Sequence, residues 1–311
     1  MARFLKSASL SSEIAQIEAL LRRLPAEDAL GRLGLSSRRD ELSAELALLH
    51  EGTDTLASTA LYFGGRPVIG SSAIRADFAA EVISGFKDLV VKVWATSNST
   101  EIAARGPIHK QGELELHLTE LLHGSMGFLI EEVDVKGEPL FDSPTKQAAD
   151  KAALLLADIA DVEDEKFQKS IETIHPRVFQ SALSLFGNLH RAEATVRVVN
   201  HSQDVALDRV SVDRAYVRLE ETNVDEHEEA VEGQLIGLIP YGGRFEFQPR
   251  TGGLMRGKVA PTMSESFLQR LKDEQALGKW FYATVRRRTV TRFGQTNEEY
   301  VLTELRDAAA G

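Results

Sequence analysis

The chain has 311 residues, 43% of them hydrophobic and 27% charged, which is ordinary globular usage with enough apolar mass for a buried core and length for about two domains. The 36 basic side chains against 47 acidic ones give a net charge of -11, which argues against a body that coats nucleic acid or acidic lipid. Cysteine is absent, and with it go disulfides, thiolate zinc sites, iron–sulfur clusters and cysteine nucleophiles. Residues 1–12 hold no apolar stretch of signal-peptide length, and no run of 18 apolar residues occurs. The expectation is a soluble bacterial protein of the cytoplasm, without membrane contact.

Residues 1–52 read as a helical hairpin. Ile14, Ile17, Leu20, Leu21 and Leu24 share one helical stripe that Pro25 closes, and Leu42, Leu46 and Leu49 form a second. Helices this short need a partner surface, so the stripes point to packing on the body or to self-association.

Residues 53–219 read as a mixed α/β body. A short strand at 60–63 leads through a glycine-rich turn, and Ser71 and Ser72 are placed to cap a helix. Phe78, Val82, Phe86, Leu89 and Val93 recur at helical spacing, the strongest such signal in the chain. Leu114, Leu116 and Leu118 alternate with polar residues as in a strand, and a turn at 123–127 leads to a second strand at 128–135. Helices are expected at 148–159, 166–174 and 178–189 and a strand at 194–199, while 209–219 fits helix or strand. Residues 220–232 hold seven acidic side chains and no basic one, which reads as a solvated acidic linker.

Residues 241–311 reverse the charge, with 12 basic and 8 acidic side chains. Over 233–307 the expected order is three strands, a helix and two strands, with Gly242-Gly243 and Gly252-Gly253 marking the first turns. This order resembles a small five-stranded barrel, OB-like or SH3-like. The fold class expected for the whole chain is therefore α+β.

Two motifs fail on inspection. The Gly65–Gly70 loop resembles a phosphate loop but has Ser71 where the lysine belongs, and Pro67 removes an amide donor. Ser125 sits beside His123, but a strand-like run follows it instead of the helix that a hydrolase nucleophile requires.

A third motif carries chemistry. Glu132, Asp134 and Lys136 fall on one face of a strand end, which resembles the acid-x-lysine pair of the restriction-endonuclease-like nucleases. That resemblance implies metal-dependent cleavage, with Asp134 and Lys136 at its centre and Glu132 beside them. The proline-aspartate half of the pattern is missing. The eight histidines show no two-ligand helical spacing, so neither a metal nor another cofactor is expected.

The best binding signal lies in residues 279–291, where Phe281, Ala283 and Val285 alternate with Trp280, Tyr282, Arg286 and Arg288. Aromatic rings and guanidinium groups on one side of a strand suit a ligand, with Arg244 on a neighbouring strand. Two readings follow: the face holds an external partner, or it docks on the acidic remainder of the chain. The expected function is non-enzymatic binding or assembly, with a protein partner or self-association ahead of single-stranded nucleic acid and the nuclease as the alternative.

Overall fold

The computed structural model describes residues 3–25, 28–50, 55–98, 114–122, 126–133, 141–273 and 275–308. It is a mixed α+β chain with three β-sheets among the described residues.

Two helices, α1 (Arg3–Arg23) and α2 (Ala29–His50), form the N-terminal hairpin. Leu10, Ile17 and Leu42 are buried between them, flanked by Ile14, Leu21, Leu35 and Leu46, as a cluster separate from the other cores. Leu20 falls off this seam and is exposed, together with Leu30 and Leu33.

The body is built on β1 (Ser58–Gly65), β4 (Leu116–Leu122), β5 (Gly127–Glu132), β6 (Ala194–Asn200) and β7 (Asp204–Leu207). Their order is β4-β5-β1-β6-β7, and every neighbouring pair is antiparallel. The glycine-rich turn after β1 differs from the expectation. Val68–Ile69 (β2) pairs with Ala73–Ile74 (β3), so Ser71 and Ser72 sit in a small hairpin and do not cap a helix. Helix α3 (Ala76–Asn98) begins just beyond it and buries Phe78, Val82, Phe86, Leu89 and Val93, the expected stripe. In β4 the alternation is broken by a register shift between Leu118 and Glu120, which leaves Leu118 exposed while Leu122 is buried.

Three further helices pack with α3 into the main core: α4 (Pro144–Ala160), α6 (Pro176–Arg191) and α7 (Arg209–Glu220). Ser143, His175 and Asp208 cap them by accepting from Lys146, Arg177 and Ser211 amides, and proline opens α4 and α6 where no amide donor is needed. The short α5 (Asp164–Thr173) buries Phe167 and Ile171.

The acidic linker is the main correction. Residues 222–239 form one long strand, β8 (Thr222–Ile239), which pairs along its first thirteen positions with β11 (Trp280–Arg292), from Thr222↔Arg292 to Gln234↔Trp280. The acidic run is tolerated in a strand because β11 carries the opposite charge: Glu228 lies across from Arg286, and Glu226 from Arg288. Thr222 and Val224 precede these carboxylates on the same face of β8 and are buried, with Val224 part of the main core.

The C-terminal sheet adds β9 (Arg244–Pro249), β10 (Met255–Val259) and β12 (Gln295–Asp307). β9 pairs with β8 and β10, β10 pairs in parallel with β12, and β12 returns through β11 to β8, so the pairing runs full circle. Two glycines permit the closure. A Cβ on Gly257 would lie 1.9 Å from the Tyr300 carbonyl oxygen, and one on Gly233 would lie 2.3 Å from that of Gln248. Leu235, Phe245, Phe247, Phe281, Val285 and Leu302 fill the interior, and Leu268 and Leu271 of α8 (Glu265–Asp273) pack against it.

Candidate functional site

The outer side of β11 carries five of the residues that matter, and they divide into two groups. Trp280 and Tyr282, at its start, are 40% and 50% exposed while their neighbours Phe281 and Ala283 are buried in the barrel. The Arg250 guanidinium lies 5.1 Å from the Trp280 ring centroid and pairs with Glu232 at 3.1 Å. Trp280, Tyr282 and Arg250 thus form a solvent-facing aromatic–cation patch.

Further along the same strand, the arginines are occupied by the chain itself. Arg286 lies 3.3 Å from Glu228 and 3.7 Å from Glu226, and its side chain is 25% exposed. Arg288 donates to the Ile171 carbonyl at 2.6 Å and also to that of Ile174, meeting the end of α5, where carbonyls lack helical partners. Burial pushes the Arg288 pKa down, opposed by the nearby Glu226, Glu299 and Glu172. Val290 packs against the main core.

Arg292 closes the joint. It bridges both oxygens of Asp164 at 2.9 Å and lies 4.8 Å from the Phe167 ring centroid. Arg218 of α7 also approaches Phe167, at 5.5 Å, and donates to the carbonyls of Asp161 at 2.6 Å and Val162 at 3.1 Å. The hydrogen bond from Arg292 holds the Asp164 carboxyl below the usual carboxylate range, against a smaller effect of burial. A cleft of about 590 Å³ runs along this joint, lined by Lys151, Asp158, His175, Glu226, Arg286 and Arg288 among others.

Arg244 lies on a different surface. It is exposed on β9 opposite Lys258 of β10, and neither makes an ion pair among the described residues. The next pair along, Glu246 and Arg256, bridges at 2.9 Å.

The acid-x-lysine motif divides differently. Asp134 and Lys136 lie outside the described residues, as do His123 and Ser125. Glu132 is described, and its Oε2 accepts from the Ala57 amide at 3.0 Å and the Ser143 hydroxyl at 2.5 Å. That oxygen ties β5 to the start of α4. Among the described residues no group of three or more metal-ligating side chains gathers. No described helix is long and apolar enough to cross a membrane.

Sequence reasoning missed Arg250, Phe167, Asp164 and Arg292. The available signal was the match between carboxylates at 225–229 and arginines at 286–292, which marks two neighbouring strands when read as a cross-strand pattern. No family model, curated protein or solved structure matches this chain.

Proposed function

We propose that this is a non-enzymatic binding or assembly protein whose C-terminal barrel is of the OB type and holds a protein partner on the Trp280–Tyr282–Arg250 patch. The barrel type is supported by the strand order: three strands, a helix and two strands, with the third strand parallel to the fifth. An all-antiparallel SH3-like barrel lacks that pair.

The carrying observation is the exposed Trp280 under a guanidinium, beside a half-exposed Tyr282, on a strand whose inward Phe281, Ala283 and Val285 are buried. Trp, Tyr and Arg dominate the energetics of protein interfaces because they bury large areas at small entropic cost. The employment of Arg286 and Arg288 within the chain favours a protein over a single strand of nucleic acid, because these two guanidinium groups further along the strand already have partners. The second reading rests on Arg244 and Lys258, which have no ion-pair partner among the described residues and whose charges on the β9–β10 surface suit phosphates.

A photo-cross-linking amino acid at position 282 tests the proposal in cells that make the protein. The expected product is one discrete protein adduct that disappears in Trp280→Ala and Arg250→Ala. Absence of any protein adduct, together with salt-dependent binding of a labelled oligonucleotide that Arg244→Ala weakens, would transfer the function to nucleic acid.

A further inference from the structure

The inner side of the long strands holds a second feature, unconnected with the outer patch. Beyond the packed interior, β8, β11 and β12 continue and carry polar residues on the inward face: Glu229, Arg287, Glu298 and Tyr300. Together with Val231, Met255 and the turn at 249–254 they line a cleft of about 720 Å³. Ligand sites commonly have this volume, and this one is lined by more polar than apolar surface.

Part of this polar set is internally satisfied. Arg287 bridges to Glu298, and the Tyr300 hydroxyl donates to Glu298 at 2.6 Å. Burial, then the hydrogen bond to Glu298, pushes the Tyr300 pKa up to about 12, so the phenol stays neutral. Two atoms remain over: Glu229 Oε1 and Arg287 Nε are buried and have no hydrogen-bond partner among the described residues. Glu229 lies opposite Val285, which places it diagonally from Arg287 on the neighbouring strand, within reach of long side chains. One of these atoms only accepts and the other only donates. A folded chain seldom leaves such a pair unmet unless something else meets it.

We propose that this cleft binds a neutral planar group carrying an N–H donor beside an acceptor: the donor goes to Glu229 and the acceptor receives the Arg287 Nε–H, while an attached apolar part lies on Val231 and Met255. A primary amide and the edge of a nucleobase share this chemistry. Of the two unmet atoms a cationic amine meets Glu229 alone, and a carboxylate meets Arg287 alone and faces Glu229, while Arg256 at the rim is engaged by Glu246.

Benzamide, benzylamine, benzoate and N,N-dimethylbenzamide are the probes, titrated into the full chain and followed by amide NMR shifts of Gly252 and Gly253. Benzamide should bind saturably, and the other three about tenfold or more weakly, since each leaves one buried group unmet. Guanosine and N-acetylglutamine amide then separate the two sources of the edge. Glu229→Met removes the acceptor; Arg287→Lys keeps a charge for Glu298 but loses the planar Nε donor. Both variants should lose benzamide binding, and Glu229→Met should melt no lower than the parent because it removes an unmet buried carboxylate. Equal or tighter binding of benzylamine, no saturable shift with benzamide, or unchanged benzamide binding in Glu229→Met would overturn the proposal. The second of these outcomes would leave water as the occupant.

Discussion

Arg288→Ala separates the two readings of the arginine-bearing strand. In the structure Arg288 donates to the Ile171 and Ile174 carbonyls at the end of α5. A hydrogen bond from a charged donor is worth about 1.5–3 kcal/mol, so two would give about 3–6 kcal/mol if nothing opposed them. The opposing cost is the burial of the guanidinium, visible in its lowered pKa, and alanine relieves it. A net loss of about 2–3 kcal/mol is expected. For a chain of this length that corresponds to a melting shift of roughly 3–5 °C when barrel and body unfold together. Urea unfolding of the full chain, followed by tryptophan fluorescence and by circular dichroism, measures it. Binding of a labelled oligonucleotide should not change. A stability change below about 0.5 kcal/mol, the range of an ordinary surface substitution, would show that the contact with α5 carries no weight.

Four further outcomes are expected. Val224→Asp places an unpaired carboxylate in the main core and should destabilise the chain by about 3 kcal/mol or more, whereas a solvated linker would tolerate it within about 0.5 kcal/mol in the same urea titration. Gly257→Ala puts a methyl group into the Tyr300 carbonyl and should break the β10–β12 pairing, seen as fast amide exchange at 257–259 and 300–302 with the body amides still protected. The lowered pKa of Asp164 means that its ion pair with Arg292 contributes fully above about pH 5 and is lost progressively as the pH falls through the ordinary carboxylate pKa of about 4 and below it, so Asp164→Asn should flatten the acid side of the stability profile below about pH 5; an unchanged profile would show that the ion pair contributes nothing. Leu20→Glu should leave the fold intact, because Leu20 lies outside the hairpin seam, and light scattering should show any self-association weakened; an unaffected oligomer would place its contact elsewhere.

Much of the fold was legible because its signals are local. The α3 stripe, the proline-opened helices and the alternation at Phe281, Ala283 and Val285 depend on residues within one element. What failed depended on partners far away in sequence. The acid-rich run looked like a linker because its neutralising arginines lie about sixty residues later, on the strand it pairs with. The turn at Ser71 and Ser72 could cap a helix or close a hairpin, and only the pairing of Val68 with Ile74 decides between them. For the candidate site, alternation correctly placed four side chains on one side of β11. It could not show that this side leaves the barrel midway and runs onto α5, which engages Arg288 and Arg292 and leaves Trp280 and Tyr282 in solvent.

The most direct test of the division of this strand is hydroxyl-radical footprinting of the same protein, purified and inside the cells that make it. Rapid oxidation of Trp280 and Tyr282 is expected in the purified chain, several-fold slower oxidation of both in cells, and slow oxidation of Phe167 in both settings, because the arginines of the joint cover it. Equal oxidation of Trp280 and Tyr282 in the two settings would contradict the partner-binding face, and rapid oxidation of Phe167 in the purified chain would contradict the joint.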